Sequence, residues 1–149
     1  MSQWTHINAM VRFDGIPEMK EPITKEELGV VSTWEEGEET NIPCGSEGSL
    51  DYEIIDTARG ESGYAACRAV AFWGDLRDYD SADEILEYFT KIIQGKMIRS
   101  GVLEINIEMQ RTLVYRVSDY DENTPKTWEC IVNRPQKTLA ELIKENKGG

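Results

Sequence analysis

Four stretches of this sequence hold side chains whose types and spacing could do chemistry. In Gly45-Ser46-Glu47-Gly48-Ser49, glycines and hydroxyls could turn successive backbone N–H groups toward an anion. A phosphate loop, however, opens a helix and carries a lysine, whereas here a strand pattern follows and a glutamate sits inside. Ser46 also lacks the G-x-S-x-G setting of a nucleophile elbow. An ordinary turn therefore competes with a ligand loop made of Gly45, Ser46, Gly48 and Ser49.

The second stretch is Trp73-Gly74-Asp75-Leu76-Arg77-Asp78-Tyr79-Asp80, read as a loop joining a strand to a helix. Asp75, Asp78 and Asp80 could offer oxygens to a divalent cation, but the acid spacing and central glycine of a calcium loop are missing. Asp80 or Ser81 serves equally well as a helix cap, with Arg77 paired to a neighbouring acid. Aromatic residues and arginine dominate interface energetics, which makes Trp73, Asp75, Arg77, Asp78, Tyr79 and Asp80 the candidate partner surface.

The third feature is His6, the single histidine. A general base needs an orienting acid and a nucleophile within reach, and sequence places neither, so a surface or structural role is expected. The fourth is Trp34-Glu35-Glu36-Gly37-Glu38-Glu39. Its acids could imitate phosphate spacing, as in a DNA mimic, or could simply be solvated. Glu35, Glu36, Glu38 and Glu39 join the candidate partner surface on the strength of their charge. None of these stretches assembles a catalytic, cofactor or metal set.

Charge narrows the partner classes. The net charge is −12, with 17 acidic against 6 basic residues in positions 1–80, and 11 against 10 in positions 81–149. A first half this negative repels phosphate backbones, so direct nucleic-acid binding is not expected. A basic protein surface is the expected partner, with a small anionic nucleotide as the alternative ligand and self-association also compatible. Cys44, Cys67 and Cys130 are an odd number at wide spacings, which fits neither a disulfide framework nor zinc pairs. Reduced structural thiols are expected, with Cys44, just before the glycine-rich turn, the one suspected of reactivity. No apolar run approaches the ~20 residues needed to span a bilayer and no leader pattern is visible, so a soluble, cytoplasmic protein is expected.

The elements that must position these residues follow from periodicity. Ile7, Ala9, Val11 and Phe13 alternate with His6, Asn8 and Arg12, predicting a half-buried strand. Thr24-Lys25-Glu26-Glu27 has the spacing of a capping box for a short helix that Gly29 stops early. An acidic excursion surrounds it, with eight acids and two lysines between Glu18 and Glu39. Leu50–Ile55 and Tyr64–Trp73 read as a hairpin joined across Arg59–Gly63, with Arg68 an unexplained polar interruption of the apolar face. Ser81-Ala82-Asp83-Glu84 caps the clearest helix, whose Ile85, Leu86, Phe89, Ile92 and Ile93 recur at helical spacing until Gly95. Leu103, Ile105, Ile107 and Met109 are expected to share one face of the next strand. Arg111–Val117 and Trp128–Val132 follow as strands, and Thr138-Leu139-Ala140-Glu141 opens a weak terminal helix.

With 149 residues and 40% hydrophobic composition, this pattern predicts one α+β domain spanning 1–149. Its architecture is a mainly antiparallel sheet packed on one amphipathic helix, with short extra helices, and a ferredoxin-like split β-α-β arrangement fits the element order. Trp4-Thr5-His6-Ile7-Asn8, the Gly45–Ser49 turn and Trp73–Asp80 with its following helix are together similar to small bacteriophage and prophage proteins that carry no assigned activity. The resemblance implies a phage accessory or counter-defence factor that blocks a bacterial protein or sequesters a signalling molecule. It brings no catalytic residues.

Overall fold

A computed structural model describes residues 3–15, 23–28, 48–59, 65–77, 81–135, 141, 143 and 144. Among the described residues, the elements follow one another as β1 (Trp4–Asp14), α1 (Lys25–Leu28), β2 (Leu50–Arg59), β3 (Ala65–Arg77), α2 (Ala82–Ile93), β4 (Met97–Ile107), β5 (Arg111–Asp119) and β6 (Glu129–Pro135), and residues 141, 143 and 144 are helical. The strands form one sheet in the order β2-β3-β1-β4-β5-β6, and every neighbouring pair is antiparallel. The class is α+β, with a mainly antiparallel sheet, as the periodicities predict.

Alternation decides which side of the sheet is dry. Ile7, Val11 and Phe13 of β1, Val70, Phe72 and Leu76 of β3, and Leu103, Ile105 and Ile107 of β4 are all buried on one face. The apolar stripe of α2, with Ile85, Phe89 and Ile93 almost fully buried, lies on that face. Phe89 meets Phe72 edge-on, with centroids 5.2 Å apart and ring planes at 86°, a favoured aromatic geometry. Ile23 and Leu28, at either end of the α1 segment, are also buried in this core. The side chain of Ser81 accepts from the Asp83 N–H at 3.2 Å and so satisfies one of the open N–H groups at the start of α2. At α1 the capping box is reciprocal: Thr24 N–H donates to Glu27 Oε2 at 2.8 Å and Glu27 N–H to Thr24 Oγ1 at 3.3 Å. Lys96 pairs with the same Glu27, tying α1 to the start of β4 and holding the Glu27 carboxyl below its usual pKa against the opposing effect of burial.

Three expectations need correction. Trp73–Arg77 is not a loop but the end of β3, where Phe72, Gly74 and Leu76 keep up the inward alternation and Trp4 to Asn8 supply the ladder partners. Met109 does not share the inner face of β4. The strand ends at Ile107, and Met109 sits in the following turn with φ of 62° and 74% exposure. Gln110 N–H donates to Ile107 O at 3.0 Å to close that turn, so the apparent alternation ran past a backbone reversal. Arg68, finally, is no interruption without cause. It stands at the margin of the inner face, where Nε donates to Asp56 Oδ1 at 2.7 Å and a terminal nitrogen to the Ile23 carbonyl at 2.7 Å.

Candidate functional site

The face of the sheet opposite α2 carries the candidate site. Antiparallel register puts residues that are directly paired on the same side, so rows of side chains can be read across the strands. One row runs Glu53, Ala71, Met10, Val102, Arg116 from β2 to β5. The next runs Asp51, Trp73, Asn8, Glu104, Val114. A third brings together Asp75, His6, Asn106 and Thr112. Met10, Trp73, Val102 and Ile55 are 41%, 42%, 49% and 42% exposed, and all four lie on this side. They form an apolar band running from the edge strand β2 to β4, with Asp51, Glu53, Asp75 and Glu104, and also Arg12 and Arg116, among and around them.

At the end of this face His6 is held between two carboxylates from distant parts of the chain. Nδ1 lies 2.5 Å from Asp75 Oδ1, and Nε2 lies 2.8 Å from Glu108 Oε1. Register places Asp75 directly opposite His6. The β4–β5 turn delivers Glu108, whose N–H donates to the Trp4 carbonyl at 3.0 Å and whose own carbonyl accepts from Gln3 Nε2 at 2.8 Å. The Asp75 hydrogen bond, opposed by desolvation and reinforced by Glu108, raises the imidazole pKa above its ordinary 6.5. Two acceptors facing both ring nitrogens favour the doubly protonated cation. With neither nitrogen open to a substrate proton, the trio acts as a charged clasp on β1, β3 and the β4–β5 turn rather than as a general base. Nor do these carboxylates meet on a metal: no group of three or more His, Cys, Asp or Glu side chains suited to holding an ion occurs among the described residues.

Of the sequence-derived candidates, Trp73, Asp75 and Arg77 are brought together at alternate positions of β3, and so on one face of the strand. Asp78, Tyr79 and Asp80 lie outside the described residues, as do Glu35, Glu36, Glu38, Glu39, Gly45, Ser46 and Cys44. Gly48 and Ser49 are described, and they lead into β2. Gly48 has φ of +80°, and a Cβ there would run into the Asp75 carbonyl oxygen and lie 3.2 Å from the Trp4 ring. This glycine serves close packing of the turn against β3. Cys67 stands opposite Asp14 on β1 and donates its thiol to Asp14 Oδ1 at 3.0 Å. Burial, then the Asp14 carboxylate, push that thiol above its usual pKa, which suppresses the thiolate. Cys130 is exposed on β6, and neither of these two cysteines is in a disulfide.

Residues that sequence reasoning missed are Met10, Val102 and Ile55 as one band, and Asp75 and Glu108 as partners of His6. Outward positions of predicted strands were the available signal for the first group. No signal existed for the second, because the partners are 69 and 102 residues away from His6. Among the described residues no helix is long and apolar enough to cross a membrane. No family model, curated protein or solved structure matches this chain.

Proposed function

We propose that this chain is a non-enzymatic binding domain that docks a basic, partly apolar protein surface on the face of its sheet opposite α2. The observation that carries the reading is the band of Met10, Trp73, Val102 and Ile55, set in register beside Asp51, Glu53 and Glu104. Burying a Trp, a Met and two branched aliphatic side chains contributes association energy, while the surrounding carboxylates select a cationic partner and speed encounter. The acidic bias of positions 1–80 supports the same charge preference. In the phage setting implied by the sequence resemblance, the partner is a host or phage protein in the bacterial cytoplasm. For the fold we propose a ferredoxin-like unit extended by a hairpin. Support comes from the order β2-β3-β1-β4, with α1 in the β1–β2 connection, α2 in the β3–β4 connection, and β5 and β6 added at one edge.

The test compares the wild type with Met10→Lys/Val102→Lys, two substitutions at exposed positions that remove apolar contact, oppose a basic partner and leave the dry face untouched. Gentle purification from a bacterial lysate followed by native mass spectrometry should retain a basic protein with the wild type and lose it with the double variant. Reconstitution from purified components should then weaken as salt is raised. Retention by both forms would reject this face as the docking surface. A homodimer of the wild type that the double variant dissociates would replace the partner with a second copy of the chain.

A further inference from the structure

A chemically different site adjoins the apolar band at Val102, where β4 and β5 meet the loop before β6. A cavity of about 590 Å³ opens there, within the size range of small-ligand sites. Its lining includes Val102 and Pro125, Thr127, the guanidiniums of Arg99 and Arg116, and the carboxylates of Asp119 and Glu129. A bulge shapes it. On β4, Ile98 pairs with Asp119 and Gly101 with Val117, so Arg99 and Ser100 together face Ser118. Arg99 is also the extra residue toward β1, because Arg12 pairs with Ser100 and Phe13 with Ile98. The bulge is why Ile98 and Leu103 can both point inward across an odd spacing, and it turns Arg99 out of the regular ladder.

The donors are arranged for an anion. Arg99 engages both oxygens of Asp14 through Nε alone, at 3.2 and 3.0 Å, and Arg116 approaches Glu129 through Nε at 3.5 Å. Each guanidinium thus keeps its two terminal amino groups for another acceptor. Ser118 spends its hydroxyl proton on the Arg99 carbonyl at 3.0 Å, whereas Ser100 and Thr127, which also line the cavity, make no such bond among the described residues. Lys126, 2% exposed, holds the loop that closes the cavity: its ammonium donates to the carbonyls of Asp121 and Thr124 at 2.5 and 3.2 Å, and its charge helps to hold the Asp121 carboxyl below its usual pKa, after the hydrogen bonds from Asn123 and Thr124.

We infer that this cavity binds a small phosphate monoester, its phosphate between Arg99 and Arg116 and its organic part against Val102 and Pro125. Two guanidiniums with added hydroxyl donors match the three terminal oxygens of a dianion better than the two of a single carboxylate. Titrating the 15N-labelled protein at low ionic strength tests this, with inorganic phosphate, adenosine monophosphate and citrate as probes. Saturable shifts are expected in the amides of 99–102, 116–118 and 126–128, with the monophosphate binding about tenfold more tightly than inorganic phosphate. Arg116→Gln, at a side chain 62% exposed, should weaken the monophosphate about tenfold with an unchanged circular dichroism spectrum and melting temperature. Thr127→Val should weaken it by a smaller factor. Absence of saturable shifts at millimolar monophosphate, or affinity unaffected by Arg116→Gln, would overturn the site. Preference for citrate would overturn the phosphate assignment.

Discussion

Replacing Asp75 by Asn should lower the pKa of His6, and the consequences are calculable because His6 is the only histidine. Its ring Cε1 proton therefore gives an unambiguous NMR titration. In the wild type the midpoint is expected above 6.5, since Asp75 and Glu108 both accept from the cation. Asp75 makes the largest contribution, so Asp75→Asn should lower the midpoint more than Glu108→Gln does. A folded-state pKa raised above the unfolded value contributes stability that is fully present below 6.5 and is lost as pH rises through the folded-state pKa. Above that point the neutral ring can donate to only one carboxylate, and its other nitrogen turns a lone pair toward an acceptor. The imidazole is 41% exposed and the carboxylates 59% and 42%, so solvent screens both pairs. Exposed ion pairs contribute about 0.2–1 kcal/mol each, which puts the two-pair clasp at about 0.4–2 kcal/mol in total. Urea unfolding of wild type and His6→Gln, followed by tryptophan fluorescence, should show that gap near pH 5.5, below the ordinary imidazole value. It should shrink toward zero near pH 9. A wild-type midpoint at or below 6.5, or a gap that is flat with pH, would refute the clasp.

Three further outcomes test the packing that holds the site. Phe89→Ala removes the ring that meets Phe72 in the core and should cost about 3–5 kcal/mol in chemical denaturation, a large share of the stability of a domain this size. Gly101→Val should cost about 1–3 kcal/mol and change tryptophan emission, because a Cβ there lies 2.8 Å from Val117 and 3.0 Å from the Trp128 ring. An unchanged melting temperature would mean that Trp128 does not pack on this glycine. Ser81→Ala should destabilise by about 1 kcal/mol through loss of the α2 cap, whereas Ser81→Asp should retain most of the stability.

What was legible in the sequence was local. The alternation of Ile7 to Phe13, the helical recurrence of Ile85, Phe89 and Ile93, and both capping signals depend on residues within one or two turns or on one strand. Burial on one side of a sheet or helix writes that periodicity directly into the chain. Local patterns misled where the backbone departed from them. Trp73-Gly74-Asp75 looked like a loop because glycine and acids are turn residues, yet Gly74 is the ladder partner of Ile7, and a Cβ there would strike the Ser49 carbonyl. Pairing with two neighbouring strands outweighed the local preference. Met109 and the Arg99 bulge are the same lesson in β4, where a reversal and an inserted residue shift the phase of the alternation.

The sequence by itself determined the class of the fold, the acidic first half and the inward alternation of β1 and the apolar stripe of α2, because composition and period survive without knowledge of neighbours. Only the tertiary structure decided which outward side chains meet. Strand order seats β1 between β3 and β4, and this alone sets Met10 beside Ala71 and Val102, and His6 between Asp75 and Glu108. The hydrophobic pattern that drives each strand onto the core is indifferent to its lateral partner. That choice comes from connections and registers that exist only once the sheet is assembled.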